Sequence, residues 1–493
     1  MIRSSTAADY YVDPVAGNIA NAGTALKPWS TLAAVFSATP PKTFQAGDHL
    51  YLRRGDHGTV VLSGINTGDV FIEAEAGHTP AVKLSLLNAQ HWLIKGLTIL
   101  GAVEIGNPKN ENSHDNTFEN CYLPNGGFRV CSSRITLRGN HIRNGGIHFQ
   151  YHSNNGLVTG NTIEDFFSDA MNMKGNFNVF EYNLVMNSHK VNKNHNDMFQ
   201  GWASKGNVLR GNEFRAFSDP KQPDLVKPGL SDVQGIGLFD GWYEDWIIEN
   251  NVLFVDHAIG IWLEGAKRCI VRNNTVVRCG ENAAIPDRLP NIRITGKKPG
   301  KPGGTRPMSV DCILQNNVAE RFEWDDSVTG QNLNNIVVDQ KAFGSTFLDW
   351  AKRDLHLKPG ASNVIDRGSS ANTPPKLDAD GNARPAGTAW DCGAFERGPN
   401  SPSADTAPPS KPSGLRAIAI ANYGVDLHWS ASTDNRKVTG YDLFRNGVKI
   451  GRTRAGTNYL DINADTTGTY TVQAFDHSDN RSALSEGARS KTP

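Results

Sequence analysis

Residues 189–202 read HKVNKNHNDMFQGW, a stretch that sets His195, Asp197 and Gln200 at H-x-D-x-x-Q spacing behind Lys190 and Lys193 and ends on Trp202. Upstream, DAMNMKG carries Asp169, Asn172 and Lys174. These residue types suit two reactions. In β-elimination from a uronic acid, a cation (Arg129, Lys190, Lys193 or a calcium ion) neutralises the substrate carboxylate and so acidifies the C5 proton. A neutral Lys174 or His195 removes that proton, and His148 or a lysine protonates the departing oxygen. An epimerase acting on uronates shares the first step. In glycoside hydrolysis, Asp169 and Asp197 are the two carboxylates, one held protonated by its neighbour's charge. Close stacking favours retention, whereas Asp240 or Glu264 as partner allows the wider, inverting spacing. The bland alternatives are that Asp169 and Asp197 cap turns, that His195 is an ordinary surface histidine and His257 structural, and that Lys190, Lys193 and Lys205 are solvated charges. Convergence of these groups on two neighbouring repeats carries the functional reading.

What positions them is a repeat. An asparagine recurs in FENCYL, LRGNHI, VTGNTI, FEYNLV, LRGNEF, IENNVL, VRNNTV and LQNNVA, at Asn120, Asn140, Asn161, Asn183, Asn212, Asn251, Asn274 and Asn317. The basic step is 20 to 23 residues and the longer steps hold insertions. That period fits an all-β fold, a right-handed parallel β-helix with three short strands per coil. The asparagines read as an internal ladder of side-chain amides bonded from coil to coil. Cys269 and Cys312 fall at one coil position, where they stack or bridge; six cysteines are compatible with one or two disulfides.

Equivalent residues of stacked coils lie about 4.8 Å apart, so aligned coils define a surface. Alternation sends Val103, Phe128, Ile147, Met171, Phe199, Ile236 and Ile259 inward. Their neighbours form an outward row of Glu104, Arg129, His148, Asn172, Gln200, Gly237 and Gly260, beside a second of Gln150, Lys174, Trp202, Phe239 and Trp262. One ionisable end and one aromatic end with glycine relief suit a groove in which sugar rings stack; the alternative is a solvated sheet face. The insertions fall on the same side, where long loops wall a groove. Asp240 and Glu264 join the predicted substrate-binding set, and Asp169, Lys174, His195 and Asp197 form the predicted catalytic group.

DAMNMKGNFNVFEYN resembles a coil of the chondroitinase-B-like and alginate-lyase β-helices, within the pectate-lyase-like superfamily. That resemblance gives Lys174 the place of the catalytic base and leaves Asp169 and Asn172 from the calcium-binding set. Trp202 stands where the family carries an assisting arginine. YYVDPVAGNIANAGTALKPWSTLAAV with AGDHLYLRRG resembles the cap and first coil of extracellular β-helix proteins, and DCGAFERG their closing strand, which bounds the helix at 8–400. SPSADTAPPSKPSG (401–414) reads as a Pro/Ser-rich linker. In residues 415–493, Trp429, Tyr441 and Tyr470 in GTYTVQAFD, with the hairpin signal at Asn446-Gly447, resemble a fibronectin type III sandwich.

Fifty basic and fifty acidic residues leave no bulk charge to recruit nucleic acid, and no apolar run is long enough to span a membrane. The start has no apolar signal-peptide core, so a secreted location implies a leader outside this numbering or another export route. The expectation is a secreted, monomeric, polysaccharide-degrading lyase, with calcium as an optional cofactor. A glycosidase is one alternative. A polysaccharide-binding adhesin or a trimeric phage tailspike is the other.

Overall fold

Each coil between residues 139 and 335 turns on the same two residues. The first is left-handed: Gly139, Gly160, Tyr182, Gly211, Asn250, Asn273, Asn316 and Asn334 all have φ between 50° and 65°. Glycine and asparagine reach that region at low cost, which explains their recurrence there. The second is an asparagine inside the coil. In a computed structural model, which describes residues 7–109, 111–189, 196–216, 233–255, 257–279, 289–296, 308–399, 401, 403, 405–420, 424–453, 456–462, 464, 467–476 and 478–490, these asparagines form one ladder. Asn140, Asn161, Asn183, Asn212, Asn251, Asn274 and Asn317 each donate an Nδ2 hydrogen to the Oδ1 of the next asparagine, ending on Asn335, at 2.8–3.0 Å. Each backbone N–H from Asn140 to Asn317 donates to the same oxygen. The ladder amides and the backbone N–H groups beside them are thereby satisfied together. Asn120 was expected to join the ladder and does not. It is exposed and left-handed, and the buried residue after it is Cys121, so the FENC segment is displaced by one position.

The described residues form two compact units, 104–115 with 125–404, and 1–103 with 116–124 and 405–493. In the first, three stacks of parallel strands form the walls of a β-helix. One stack carries Phe128–Val130, Ile147–Phe149, Met171–Met173, Asp197–Lys205, Gln234–Glu244, Ile259–Glu264, Asn291–Thr295 and Arg321–Trp324. Its inward side chains fill the interior, where Phe149, Phe180 and Phe199 meet edge to face at 5.4 Å. Ile261, rather than the expected Ile259, pairs with Ile236, because one coil carries two more residues between Leu238 and Tyr243 than the next carries between Leu263 and Ala266. At the C-terminal end, helix Gln340–Thr346 is capped by Asp339. Its Phe343 closes the core with Phe347, Leu355 and Val364. All six cysteines are free thiols, and Cys269 and Cys312 are buried without bridging.

In the second unit, strands Asp9–Val12, His49–Leu52, Gly55–Ala74 and Pro80–Lys95 pair in parallel. The C-terminal part is a sandwich with a three-stranded sheet of Ser413–Ile420, Gly424–Ser430 and Asn458–Ile462. Its four-stranded partner runs Val448–Thr453, Val438–Arg445, Thr469–Asp476 and Ala488–Arg489. Trp429, Tyr441 and Tyr470 are buried between the sheets, and the Tyr470 hydroxyl donates to Asp461. The expected linker differs from the structure: Asp405 is buried and accepts from Asn435, and Ser410 donates to the Thr433 carbonyl. The sandwich also packs on the N-terminal coils, where Arg54 donates to the fully buried Asp426 at 2.6 Å.

Near the C-terminal end of the β-helix, His356 lies buried between Asp354 and Asp380, each 2.6 Å from a ring nitrogen. Burial alone would depress its pKa, but hydrogen bonds and charge from the two carboxylates raise it to about 9. Its unfolded value is near 6.5, so the stabilisation is complete below that pH and is lost as pH rises through about 9. The melting midpoint should fall across that window by the equivalent of about 1–3 kcal/mol. His356→Gln should flatten this slope; equal slopes in the two proteins would count against the assignment.

Candidate functional site

The outward side of the first strand stack builds a continuous row. Register pairs Arg129 with His148, His148 with Asn172, Asn172 with Gln200, Gln200 with Gly237, Gly237 with Trp262, Trp262 with Arg293 and Arg293 with Glu323. Trp262, expected in the second row, thus lies in the first, where Gly260 had been placed. The difference from the expected alignment is two residues, so the strand keeps its inward–outward parity. A further shift after Gln200 pairs Trp202 with Asp240 instead of Phe239.

The aromatic end is a connected platform. Gly237 has no side chain, and a Cβ there would lie 2.6 Å from the Phe239 ring, so the ring occupies the space that glycine leaves. Phe239 lies 4.9 Å from Trp262, and the Arg293 guanidinium sits 3.6 Å over the Trp262 ring. The Trp262 indole N–H is taken by Thr295. Burial lowers the Arg293 pKa from the ordinary guanidinium value, an effect that Glu323 and Glu264 oppose. Arg293 was missed in the sequence because a long stretch separates NIRIT from the Asn274 motif of its coil; the alternation of NIRIT was the available signal.

The ionisable end is organised differently. Arg129 is exposed and lies 3.7 Å from Glu104, so its charge is held loosely. The His148 Nε2 lies 3.0 Å from the Asp169 carbonyl. Lys174 Nζ stands between two rings, 4.7 Å from Trp202 and 5.5 Å from Tyr151. Ring faces attract positive charge, so this place suits an ammonium. Gln200 donates to Asp240 at 2.6 Å, which ties the middle of the two rows together. Two buried polar atoms, Asn172 Oδ1 and Trp202 Nε1, have no hydrogen-bond partner.

Other expectations fare less simply. Asp197 is fully buried. It precedes Phe199 by two residues and shares its inward parity, so it does not lie at the groove lip or form an exposed pair with Asp169. Asp169 spends its carboxylate on the Asp197 backbone N–H at 3.2 Å, the turn-capping alternative. Glu264 lies two residues beyond Trp262 on the same strand and is half-buried. His195, Lys190 and Lys193 lie outside the described residues. On the neighbouring strand stack, Asp165 bonds His189 and Arg143. Burial would raise its pKa, but these partners hold it below the usual carboxylate range.

Calcium takes six to eight oxygen ligands. Asp169 and Asn172 supply two side-chain donor groups, and one Asp169 oxygen already accepts a backbone N–H, so these two residues do not by themselves make a calcium site. Among the described residues, the acidic cluster compact enough for a metal is Asp405, Asp434 and Asp476 in the sandwich.

The family model described as the β-sheet domain of rhamnogalacturonan I lyases matches residues 413–488. An α-amylase of Niallia circulans is 44% identical over 91 residues, 18% of this chain and 7% of that protein. Chitinase Chi52 of Paenibacillus xylanexedens is 45% identical over 89 residues, 18% of this chain and 17% of that protein. These similarities concern the C-terminal module alone, so the chain spans only a small part of those relatives. Among solved structures, pectate lyase Pel9A aligns over 80% of this chain and 97% of its own, with 16% identity and a TM-score of 0.39. A GH136 lacto-N-biosidase from Eubacterium ramulus aligns over 67% and 68%, with 13% identity and a TM-score of 0.39. Likeness at that level assigns no activity.

Gly237→Ala should push the Phe239 ring off its seat. Because the clash is with the far end of a partly exposed ring, the cost in stability should be about 1 kcal/mol or less. The near-ultraviolet circular dichroism of the Phe239–Trp262 pair should nevertheless change. An unchanged spectrum would mean that the platform is not built on that glycine.

Proposed function

We propose that the β-helix is a secreted polysaccharide-active enzyme that cleaves an acidic, uronate-containing chain in this groove by β-elimination. The observation that carries the proposal is the single row that begins with Arg129, His148 and Asn172 and continues into the Phe239–Trp262–Arg293 platform. Flat aromatic faces suit sugar rings. The cations Arg129, Lys174 and Arg293 suit carboxylates on such a chain.

The groove's own carboxylates are poorly placed for the alternative, glycoside hydrolysis. Asp197 is buried, Asp169 holds a backbone N–H and Asp240 accepts from Gln200. Elimination needs a cation near the uronate carboxylate, a base for the C5 proton and a proton for the leaving oxygen. Arg129 and Lys174 are the described cations nearest the ionisable end. The C-terminal module supports a polysaccharide-active enzyme of either kind, since similar segments occur within an α-amylase and chitinases.

Incubation with a panel of acidic and neutral exopolysaccharides tests this. The expected product absorbs in the ultraviolet as an unsaturated uronate, and Trp262→Ala should raise KM severalfold by removing a ring face. New reducing ends without that absorbance would establish hydrolysis instead, and binding without cleavage would establish an adhesin.

A further inference from the structure

We propose that His148 takes the C5 proton, and that Gly146 and the main-chain carbonyl of Asp169 fix the imidazole tautomer this requires; the assignment rests on the elimination reading above. His148 lies in the outward row between Arg129 and Asn172. Its Nε2 is 3.0 Å from the Asp169 carbonyl. A carbonyl oxygen can only accept, so Nε2 carries the hydrogen. In the neutral ring the lone pair is then on Nδ1. That nitrogen has no hydrogen-bond partner among the described residues, which leaves it for a ligand in the groove.

The carbonyl is held from the next coil. Ala170 N–H donates to the Asp197 carbonyl at 2.9 Å, and Asp197 N–H donates to the Asp169 carboxylate at 3.2 Å. Gly146 supplies the room. A Cβ at that position would stand 2.9 Å from His148 Nε2, 3.0 Å from the Asp169 oxygen and 2.5 Å from the Ala170 oxygen. Any other residue would occupy the seat of the imidazole. Asp169 and Gly146 are therefore positioning residues, and the chemistry of Asp169 lies in its main chain.

The division of labour follows from the neighbours. Lys174, between the faces of Tyr151 and Trp202, is placed as a cation and therefore as a proton donor. Arg129, loosely paired with Glu104, can turn its charge to the uronate carboxylate. In the step, His148 Nδ1 forms a bond to the C5 proton, the C5–H electron pair becomes the C4–C5 double bond, and the C4–O bond breaks. The leaving oxygen takes a proton from the Lys174 ammonium. His148 then returns its proton to solvent and Lys174 regains one, so both end as they began.

The tautomer can be read without substrate. Intact protein labelled with ¹⁵N-histidine, with the His148 signals identified by their loss in His148→Gln, should show hydrogen on Nε2 and a bare Nδ1. The reverse pattern overturns the positioning claim. With a substrate in hand, His148→Ala should lower kcat by at least about 100-fold with KM within about threefold, and added imidazole should restore part of the rate. A kcat within tenfold of the native value, or a loss confined to KM without imidazole rescue, overturns the base role. If no polysaccharide gives an unsaturated product, the elimination reading falls and takes the base role with it. The nitrogen spectrum still decides separately whether Gly146 and Asp169 set the ring.

Discussion

The hydrogen bond between one buried asparagine amide and the next is the interaction on which the rest depends. A coil that turns inside its own core must bring backbone N–H groups and a side chain out of water together. A lone buried amide would cost free energy; stacked amides satisfy one another and the turn backbone at once. Because every link has the same geometry, the strands that follow start in the same place. The outward row of the groove is thus set by contacts made elsewhere in the coil.

A rigid frame of this kind allows irregularity where the ligand would sit. The register shifts in the groove strands lie after Gln200 and between Ile259 and Ile261, away from the ladder. They set Trp262 opposite Arg293, and Asp240 opposite Trp202 within reach of Gln200. Bulges re-aim side chains without disturbing the core, since both shifted strands still bury their apolar residues.

Much of this was legible in the sequence, and the failures have physical causes. The asparagine period identified the coils, and alternation placed Arg129, His148, Asn172, Gln200 and Gly237 in one row, as the structure has them. Legibility stopped where one coil is two residues longer than the next, which misplaced Trp262, because alternation carries no mark of a two-residue insertion. Arg293 escaped because 18 residues separate it from the ladder asparagine of its coil, Asn274, so the period gave no register for its strand. The inward parity of Asp197 was visible, but its cost as a groove carboxylate emerges only with its complete burial. The tautomer of His148 depends on a carbonyl from a different coil, a relation that spacing along one strand does not encode.

The contact of Arg54 with Asp426 has a practical consequence for anyone dividing the chain. A cut near residue 400 looks natural from composition, yet it would leave Arg54 in the N-terminal coils without its carboxylate and Asp426 facing water in the freed sandwich. Either fragment would present a surface that the intact protein never shows, so poor solubility of a truncated version would report on the cut and not on the fold of its pieces.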